Sequence, residues 1–506
     1  MSSADKKVII IGAGPAGLTA AYQLSKAGTR SVVLEKDDMV GGLSRTINYR
    51  GFLFDIGGHR FFTKVKLVDD LWREILGDGD FLRRNRLSRI YYRKALFHYP
   101  LRFGNALRGL GIINSLLILL SYVQAQLSPT TPEDTLEAWV SNRFGKRLYR
   151  IFFKTYTEKV WGMPCSEITA DWAAQRIKGL SLFTAVKNAL LKQETDKRST
   201  VTSLIDSFYY PRRGPGMMWE TTCKLVRESG NQVLMNAPVR RILHSGHRVQ
   251  ALEAIVDGRS QIFEGSHFIS SMPVRELICR MDPGAPPEVR KAAESLNYRD
   301  FLTVALIIDE EHLFPDNWIY IHDPGVKVGR IQNFKNWSPD MLPDLRKTCL
   351  GLEYFCFEGD GLWAMPDQQL IELAKTELAS LGLAEPSDVV DGMVVRVPKA
   401  YPVYDSTHRE SLSIIREFLA PLTNLQLVGR NGMHKYNNQD HSMLTAMLAV
   451  RNILGANHSL WDVNVDQEYL EEVRADGSVE VDDAVLLEST QPRVPPRVPA
   501  ATGTKS

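Results

Sequence analysis

The sequence predicts an α/β protein with a Rossmann-type nucleotide-binding domain, an inserted helical domain and a second domain built on an antiparallel β-sheet. Three observations predict this fold class: a glycine-rich strand-turn-helix pattern at the start, a long stretch of helical periodicity after it, and a series of short strand-like segments in the second half. The chain has 506 residues, of which 44% are hydrophobic, so it can bury the cores of two or three domains.

The N-terminal segment has the pattern of a dinucleotide-binding βαβ unit. Residues 8–11 form a continuous apolar run, as in a strand buried on both faces, and Gly12, Gly14 and Gly17 occupy the three positions of the fingerprint. Glu35 ends the second strand, where a carboxylate can accept a hydrogen bond from a ribose hydroxyl. A purely structural turn is the alternative, but the complete unit favours a dinucleotide site.

Two glycine pairs follow the fingerprint, Gly41-Gly42 and Gly57-Gly58, with a predicted strand between them. Such bends bring the backbone close to a flat ligand, although ordinary hairpin turns would also contain them. After a dinucleotide fingerprint they favour FAD over NAD.

Composition narrows the class of protein. The formal charge of +2 gives no bias toward nucleic acid, and no cysteine or histidine spacing indicates a metal site. Five cysteines form no CxxC pair, which is typical of a reducing compartment, and the first residues lack the pattern of a signal peptide. The sequence therefore predicts a cytoplasmic enzyme without metal or nucleic-acid partners.

Periodicity and composition divide the chain. The predicted FAD-binding domain comprises 1–64, 212–275 and 395–470, the helical insertion 65–200, the β-sheet substrate domain 201–211 and 276–394, and a disordered Pro-rich tail 485–506. Inside the insertion, the apolar segment 109–123 is too short to span a bilayer. A buried helix is favoured, and a peripheral membrane contact or a homo-oligomer contact stays an alternative. The basic cluster 83–86 favours a solvated face over an anionic ligand or lipid.

The C-terminal part contains the most specific motif, Gly429-Arg430…Tyr436…Asn438-Gln439-Asp440-His441-Ser442, which opens a helix. In this motif the sequence resembles the UDP-galactopyranose mutase family, specifically its larger, eukaryotic-type branch. Further matching positions are Gly57-Gly58-His59, Lys159-Val160-Trp161, Arg176, Pro211-Arg212, Arg330-Ile331, Asn336-Trp337-Ser338-Pro339 and Tyr401-Pro402. The N-terminal motifs are shared with amine oxidases and protoporphyrinogen oxidases.

The resemblance implies roles for individual residues. His59 would lie by the flavin. The substrate diphosphate and sugar would be surrounded by Arg176, Arg330, Tyr401, Arg430, Tyr436 and Asn438. The FAD would be contacted by Gly12, Gly14, Ala16, Gly17, Glu35, Gly42, Gly57, Gly58, His59, Val239, Gly429, Arg430, Gln439, Ser442 and Met443. Guanidinium groups match diphosphate oxygens bidentately, so arginines suit this ligand. For each arginine the alternative is a structural ion pair, and for His59 a core histidine.

The activity implied by the resemblance is the interconversion of pyranose and furanose forms of a nucleotide-diphosphate sugar. In this family the reduced flavin attacks the anomeric carbon through N5, and no net redox change occurs. A different class of function stays open: an FAD-dependent oxidase or desaturase acting on an amine, porphyrinogen or polyene. A non-catalytic flavin-binding scaffold is a third hypothesis.

The chain departs from the family where the nucleotide is recognised. Leu101 and Arg102 follow Tyr99-Pro100 where the family has an aromatic residue and a glutamine, and Thr157 stands in place of an asparagine. Arg102 can only donate hydrogen bonds, whereas an amide can pair both ways with a uracil edge. We therefore expect weaker UDP binding and a preference for another nucleotide sugar.

Overall fold

The computed structural model describes residues 6–99, 103–170, 203–204, 207–464 and 472–473. The predictions for Leu101, Arg102, Arg176 and the tail 485–506 therefore lie outside the described residues. Within the described ranges the chain forms one parallel sheet, one large mixed sheet and several smaller sheets, connected by helices. The predicted fold class, a Rossmann-type domain with helical and β-sheet additions, is confirmed.

The described strands are β1 Lys7–Ile11, β2 Arg30–Leu34, β3 Thr46–Tyr49, β4 Phe52–Asp55, β5 Phe81–Asn85, β6 Ser88–Tyr92, β7 Ala95–His98, β8 Ser203–Leu204, β9 Ser207–Pro211, β10 Gln232–Leu234, β11 Val239–Ser245, β12 Arg248–Val256, β13 Arg259–Glu264, β14 His267–Ser270, β15 Met281–Asp282, β16 Tyr298–Ile308, β17 Trp318–Ile321, β18 Arg330–Asn333, β19 Thr348–Cys356, β20 Val389–Pro402, β21 Leu425–Leu427 and β22 Glu472–Val473. The described α-helices are α1 Pro15–Lys26, α2 Lys66–Ile75, α3 Phe103–Leu110, α4 Ile112–Leu127, α5 Leu136–Phe144, α6 Lys146–Tyr149, α7 Thr155–Trp161, α8 Gly216–Glu228, α9 Val274–Cys279, α10 Pro287–Ser295, α11 Phe334–Trp337, α12 Asp367–Leu381, α13 His408–Leu419, α14 Gly429–Gly432 and α15 Gln439–Leu454. A π-helical segment, Arg150–Lys154, joins α6 to α7.

The parallel sheet contains the N-terminal βαβ unit at its centre. Its strand order is β10-β2-β1-β14-β21, and all four neighbouring pairs run parallel. Four consecutive residues of β1, 8–11, are buried, because strands on both sides and packing on both faces exclude water. Helix α1 packs against α8 and α15, so the start of α1 lies next to the C-terminal motif.

The large mixed sheet has two chemically different faces. Its order is β20-β16-β19-β18-β17-β6-β7, with antiparallel pairing except between β17 and β6. Apolar residues of one face, including Ile331 and Leu352, pack against α12. Because side chains alternate along a strand, Arg330 and Glu353 point to the opposite face, where they are cross-strand partners. The largely antiparallel second sheet predicted from the sequence is thus present, and its polar face is turned away from α12.

The positions of strands differ from the segments predicted from the sequence at two places. Strands β5, β6 and β7 lie inside the range predicted as a helical insertion, and two of them extend the mixed sheet. Strand β20 also belongs to that sheet, although 395–402 was expected in the FAD-binding domain. These strands are short or carry several charged residues, so their alternation is weak. Pairing stabilises them: β5 with β9, β7 with β6, β6 with β17, and β20 with β16.

The basic cluster 83–86 is not a solvated face. Arg84 donates from Nε to the carbonyl of Trp337 over 2.7 Å, and Arg83 donates to Ser207 Oγ over 3.3 Å. Both side chains are half-buried, because β5 pairs with β9. The solvated-face interpretation was therefore wrong.

The apolar segment 109–123 was expected to form a buried helix, and this prediction was also wrong. Helix α4 is present, but Ile118 is its only fully buried side chain. The apolar residues of the segment indicate a helix with an apolar surface. Whether that surface is buried depends on a neighbouring element that covers it, which the segment itself does not reveal. Among the described helices, none is long and apolar enough to cross a membrane.

Two histidines are buried in the neutral form. Burial lowers the pKa of His434 to about 4 and, together with the nearby Lys159 ammonium group, that of His322 to about 3. The unfolded chain binds a proton at each of these positions near the ordinary histidine pKa of about 6.5. Keeping these two histidines neutral therefore does not reduce the free energy of unfolding above about pH 6.5. As the pH falls from about 6.5 toward 4, the unfolded chain binds protons that the folded protein does not, and stability is lost.

We predict that His434→Asn makes the protein less sensitive to acid. Asparagine tolerates the left-handed backbone at this position, where φ is 45°. Unfolding by urea at pH 7 and pH 5 should show a loss of stability about 2 kcal/mol smaller in the variant than in the wild type. His312→Asn is the control, because it makes the same substitution at a histidine whose side chain is exposed. An unchanged acid response of His434→Asn would contradict the assignment.

Candidate active site

The turn between β1 and α1 is packed so closely that only glycine fits. A Cβ atom on Gly17 would lie 1.8 Å from the carbonyl oxygen of Gly12, and one on Gly12 would lie 2.3 Å from Ser271 Oγ. Ser271 is fixed by donating a hydrogen bond to the carbonyl of Ile11 over 2.8 Å. The first and third glycines are therefore required by the fold itself.

Gly14 differs from its two neighbours. A Cβ atom on Gly14 would meet only the backbone of Gly42, with its Cα at 3.6 Å and its N at 3.9 Å, which are ordinary contacts. Packing therefore does not demand a glycine here, although Gly14 directly precedes the N-terminus of α1. Free backbone N–H groups at such a helix end bind phosphate, and an absent side chain lets a ligand approach. The residues present fit the pyrophosphate of FAD.

Glu35 links this turn to the end of β2. Its carboxylate accepts hydrogen bonds from the N–H of Ala13 over 2.6 Å and from that of Asp37 over 3.0 Å. Burial raises the pKa of Glu35. The N–H of Ala237 donates to the Glu35 carbonyl over 2.7 Å, which places the predicted contact Val239 beside the same strand end. The carboxylate of Glu35 and the buried apolar side chain of Val239 are suited to the ribose and the base of the cofactor.

Two buried amide oxygens without a hydrogen-bond donor among the described residues lie where the flavin ring is predicted, away from the pyrophosphate turn. Gln439, the first residue of α15, donates from Nε2 to the carbonyl of Arg60 over 3.1 Å, while its Oε1 has no hydrogen-bond partner among the described residues. Gln332 Oε1 is also buried and without a partner there, and a Cβ on Gly58 would lie 3.6 Å from it. Buried acceptors of this kind are normally satisfied, so they indicate a ligand with N–H or O–H donors. An isoalloxazine ring has such a donor.

His59 follows the second glycine pair. Burial and the guanidinium groups of Arg430 and Arg330 lower the pKa of His59 to about 3. Its Nδ1 lies 3.1 Å from the carbonyl oxygen of Gly57. Since a carbonyl only accepts, Nδ1 carries the hydrogen and Nε2 keeps its lone pair. His59 is therefore a neutral acceptor at physiological pH, close to two cations.

Arg330 forms an ion pair with Glu353, a residue that sequence reasoning missed. Arg330 Nε donates to the carboxylate over 2.8 Å, and its Nη2 lies 3.4 Å from the hydroxyl of Tyr401. Glu353 is completely buried and also accepts from Gln332 Nε2. Although burial alone would lower it, the adjacent carboxylate raises the pKa of Arg330 above its ordinary value. The sequence did contain a signal for Glu353, which is the single charged residue in the apolar strand 348–356. Because glutamate is rarely buried without a partner, its position there indicates a buried ion pair.

Arg430 lies on the other side of Tyr401 and has a different environment. Its Nε and Nη1 donate to the carbonyls of Asn437 and Ala400 over 2.8 and 2.9 Å. Its guanidinium carbon lies 4.7 Å from the ring centre of Tyr436 and 5.5 Å from that of Tyr401. In the part of the chain that the structure describes, no carboxylate forms an ion pair with it. The backbone and two rings therefore hold Arg430 in place, and its charge is uncompensated there.

Three tyrosines complete the cluster around these arginines. Tyr401 and Tyr436 are stacked, with ring centres 5.6 Å apart and planes 17° apart. Burial raises the pKa of Tyr401 to about 12, and burial also raises that of Tyr156. Their hydroxyls therefore remain donors at neutral pH. Tyr156, which stacks on His322 at 4.8 Å, was not predicted, although it directly precedes the predicted nucleoside contact Thr157.

The remaining predicted residues surround the start of α15 and α1. Asn438 is the N-cap of α15, and its N–H donates to His441 Nδ1 over 3.3 Å. Gly429 begins α14 so near α1 that a Cβ would lie 3.1 Å from the Cβ of Ala16. Ser442 is buried in the first turn of α15, whereas the sulfur of Met443 accepts from Trp72 Nε1 and belongs to the core. The structure thus brings the predicted residues together except Arg176, which lies outside its described range, and the side chain of Met443. Among the described residues no group of side chains suits a metal ion.

Comparison with known proteins places this geometry in a family. The model of the family described as flavin containing amine oxidoreductase matches residues 15–454. A 1-hydroxycarotenoid 3,4-desaturase of Flavobacterium sp. is 47% identical over 66 residues, 13% of each chain. AofH of Mycobacterium tuberculosis, described as a flavin-containing monoamine oxidase, is 24% identical over 300 residues, which are 56% of this chain and 61% of that protein. The chain thus matches less than two thirds of the length of these relatives.

Solved structures resemble the chain over most of its length. The crystal structure of reduced UDP-galactopyranose mutase has a TM-score of 0.79 at 22% identity and covers 91% of this chain and 98% of that one. A protein from Exiguobacterium sp. described as a protoporphyrinogen oxidase has a TM-score of 0.65 at 16% identity, covering 89% and 99%. These likenesses establish the fold.

We predict that Gly14→Val abolishes FAD binding while the protein still folds. The side chain would occupy the space in front of the N-terminus of α1, but within the protein it would meet only Gly42. The visible flavin absorbance of the purified protein measures the bound cofactor, and circular dichroism measures folding. Gly77→Val is the matched control, since a Cβ there meets nothing within 4 Å. A folded Gly14→Val protein with full flavin content would place the pyrophosphate elsewhere.

Proposed function

Because the chain belongs to the family of flavin-containing amine oxidoreductases, with FAD as its cofactor, we propose that it is a nucleotide-sugar mutase. It would interconvert the pyranose and furanose forms of a sugar attached to a nucleoside diphosphate, with the flavin in its reduced state. Within the family, a place in the larger, eukaryotic-type branch of UDP-galactopyranose mutases stays a prediction. A cytoplasmic location also belongs to this proposal.

The uncompensated charge of Arg430 is the observation that carries the proposal. Arg330 and Arg430 contribute two positive charges beside Tyr401, and Glu353 contributes one negative charge, so these three groups leave a net charge of +1. Leaving a half-buried cation without a counter-ion is costly, and a bound anion removes the cost. A diphosphate supplies such an anion, and the tyrosine hydroxyls add donors to its oxygens.

The side chains have separate tasks in the proposed reaction. The reduced flavin, when bound, supplies the nucleophile. Arg430 and Arg330 hold the diphosphate, so that its negative charge is stabilised when the bond to the sugar breaks and it remains bound for the return step. Glu353 orients the Arg330 guanidinium and keeps it protonated. The neutral His59 can accept a hydrogen bond through Nε2 without adding a third positive charge to the site.

The nucleotide is a separate question from the diphosphate. Thr157 is buried in α7, and Tyr99 meets Tyr320 edge to face with ring centres 5.3 Å apart. A nucleobase near this cluster would stack on aromatic surface. Because Thr157 is shorter than the asparagine of the resembled family, we expect weaker UDP binding and preference for another nucleotide, such as deoxythymidine diphosphate.

An FAD-dependent oxidoreductase is the second candidate, favoured by the names of the curated relatives, which are oxidases and desaturases. The parallel rings of Tyr401 and Tyr436 would suit an amine cation. However, the guanidinium of Arg430 already lies against both rings, so an ammonium group would meet a like charge. A polyene or porphyrinogen would leave that cation facing apolar surface. The charge of the site therefore supports the mutase.

We predict that Arg430→Met weakens binding of the nucleoside diphosphate about 30-fold or more while FAD is retained. A lost charged contact to a buried anion corresponds to roughly 2–5 kcal/mol. Titration of the reduced enzyme with the diphosphate, followed by flavin fluorescence, measures this loss. Arg416→Met is the control, because Arg416 also stacks on an aromatic ring, at 4.3 Å from Trp461, outside the site. Substituting Arg330 would be less informative, since it leaves the buried Glu353 unpaired. Normal binding by Arg430→Met would show that the diphosphate lies elsewhere.

We predict that the dithionite-reduced enzyme converts at least one nucleotide-diphosphate sugar between its ring forms, and that the oxidised enzyme does not. Chromatography of products from UDP-, dTDP- and GDP-sugars measures conversion, and titration with the free nucleotides ranks their affinities. Hydrogen peroxide release with amines, and oxidation of porphyrinogens or polyenes, are assayed in parallel. Turnover in the oxidase assays without any sugar conversion would establish the second candidate. UDP-galactose binding tightest of all would refute the predicted nucleotide preference alone.

A further inference from the structure

Helix α4 presents an apolar face to solvent. Ile113 is 76% exposed, Leu120 66% and Leu127 81%. Further large apolar side chains on this face are exposed as well: Ile112, Leu116, Leu117 and Val123. Their spacing along a helix places them on one continuous stripe. An apolar patch of this size on a protein surface normally marks an interaction site.

The orientation of α4 is fixed by two of its polar residues, Asn114 and Ser121, which hydrogen-bond to the protein. Asn114 Oδ1 accepts from Arg147 Nη2 over 2.6 Å, and Ser121 Oγ accepts from the Arg147 N–H over 3.1 Å. The backbone of Gly145 approaches so closely that a Cβ there would lie 2.7 Å from the N atom of Tyr122. These contacts turn two polar side chains toward the protein, whereas the polar residues of an amphipathic helix usually face water. The outward direction of the apolar stripe is therefore built into the fold.

The exposed charged residues on the described helices that contact α4 are basic, although one of these helices, α5, also carries the partly exposed Glu137. The sequence contains no aspartate or glutamate between Asp80 and Glu133, a range that includes all of α4. On the elements that contact α4 or directly follow them, Arg108, Lys146 and Arg150 are exposed. In the described part of the chain none of the three forms an ion pair with a carboxylate. Exposed leucines and isoleucines next to such cations are the combination that binds anionic lipid surfaces.

We propose that α4 docks this protein on the surface of a membrane that contains anionic lipids. The helix would lie in the plane of the interface, with its stripe among the acyl chains and the cations at the phosphate groups. Its 16 residues correspond to about 24 Å, too short for a membrane span. A second copy of the chain is a less suitable occupant, because a two-fold contact through α4 would bring the cations of both copies together. The docking does not depend on which substrate the enzyme uses.

Sedimentation of the full-length, FAD-loaded protein with vesicles tests the proposal. Vesicles of phosphatidylcholine alone are compared with vesicles of three parts phosphatidylcholine to one part phosphatidylglycerol. We expect binding to the anionic vesicles to be about tenfold tighter and to weaken at high salt. The double variant Leu116→Gln, Leu120→Gln should bind the anionic vesicles at least about tenfold more weakly. Arg108→Glu with Lys146→Glu should remove the preference for anionic lipid.

Ile262→Gln is the matched control, because Ile262 is an exposed apolar residue on β13, outside α4, and its replacement should leave vesicle binding unchanged. The flavin absorbance of each variant checks that it is folded and loaded. Failure of the wild type to bind anionic vesicles would overturn the proposal, as would wild-type binding by the Leu116→Gln, Leu120→Gln variant. Sedimentation velocity without lipid tests the alternative that the stripe binds a second copy of the chain. If the wild type is a dimer and the Leu116→Gln, Leu120→Gln variant is a monomer, the stripe is a dimer interface and the membrane proposal is wrong.

Discussion

The close approach of backbone segments around the first glycine turn is the constraint on which the site depends. Gly17 lets α1 lie directly on the Gly12 carbonyl, and a Cβ on Gly432 would lie 2.7 Å from the carbonyl oxygen of Ser270. Four elements therefore pack backbone to backbone at glycine positions: β1, α1, the end of β14, and α14. A side chain at these positions would overlap the neighbouring element. Since Arg430 belongs to α14, this packing places a cation beside the cofactor cradle at the start of α1. Larger side chains here would separate the cofactor site from the substrate site.

The electrostatics of the site depend on a difference between two arginines: Arg330 has a carboxylate partner, and Arg430 has none among the described residues. Arg330 is balanced by Glu353 inside the mixed sheet, where desolvation makes an unpaired charge expensive. Arg430 is held by backbone carbonyls and tyrosine rings, which fix its position but leave its charge uncompensated among the described residues. The neutral His59 adds no charge of its own, because both cations and burial oppose its protonation. Together these features leave a net positive charge at the candidate site, and this charge supports the proposed anionic ligand over an amine or a hydrocarbon.

The mixed sheet connects this chemistry to the fold. One face carries the apolar residues that pack on α12, and the other carries the polar residues of the site, so a single strand such as β18 serves both. Alternation along the strand makes this possible, because neighbouring residues point in opposite directions. Ile331 stabilises the sheet, while Arg330 and Gln332 face the ligand side. A shift of register by one residue would exchange the two faces and remove the site.

The sequence by itself determined the features that are local in the chain. The buried run of β1, the glycine turn, Glu35 at the end of β2 and the motif around Arg430 could be read from spacing, because turns and strands depend on nearby residues. Only the tertiary structure decided which charges meet and which surfaces are covered. The pairing of Arg330 with Glu353 joins residues 23 positions apart in the chain. The exposed face of α4 reflects the absence of a covering element among the described residues. Both outcomes depend on contacts between distant segments, and a pattern within one segment contains no information about its eventual neighbours.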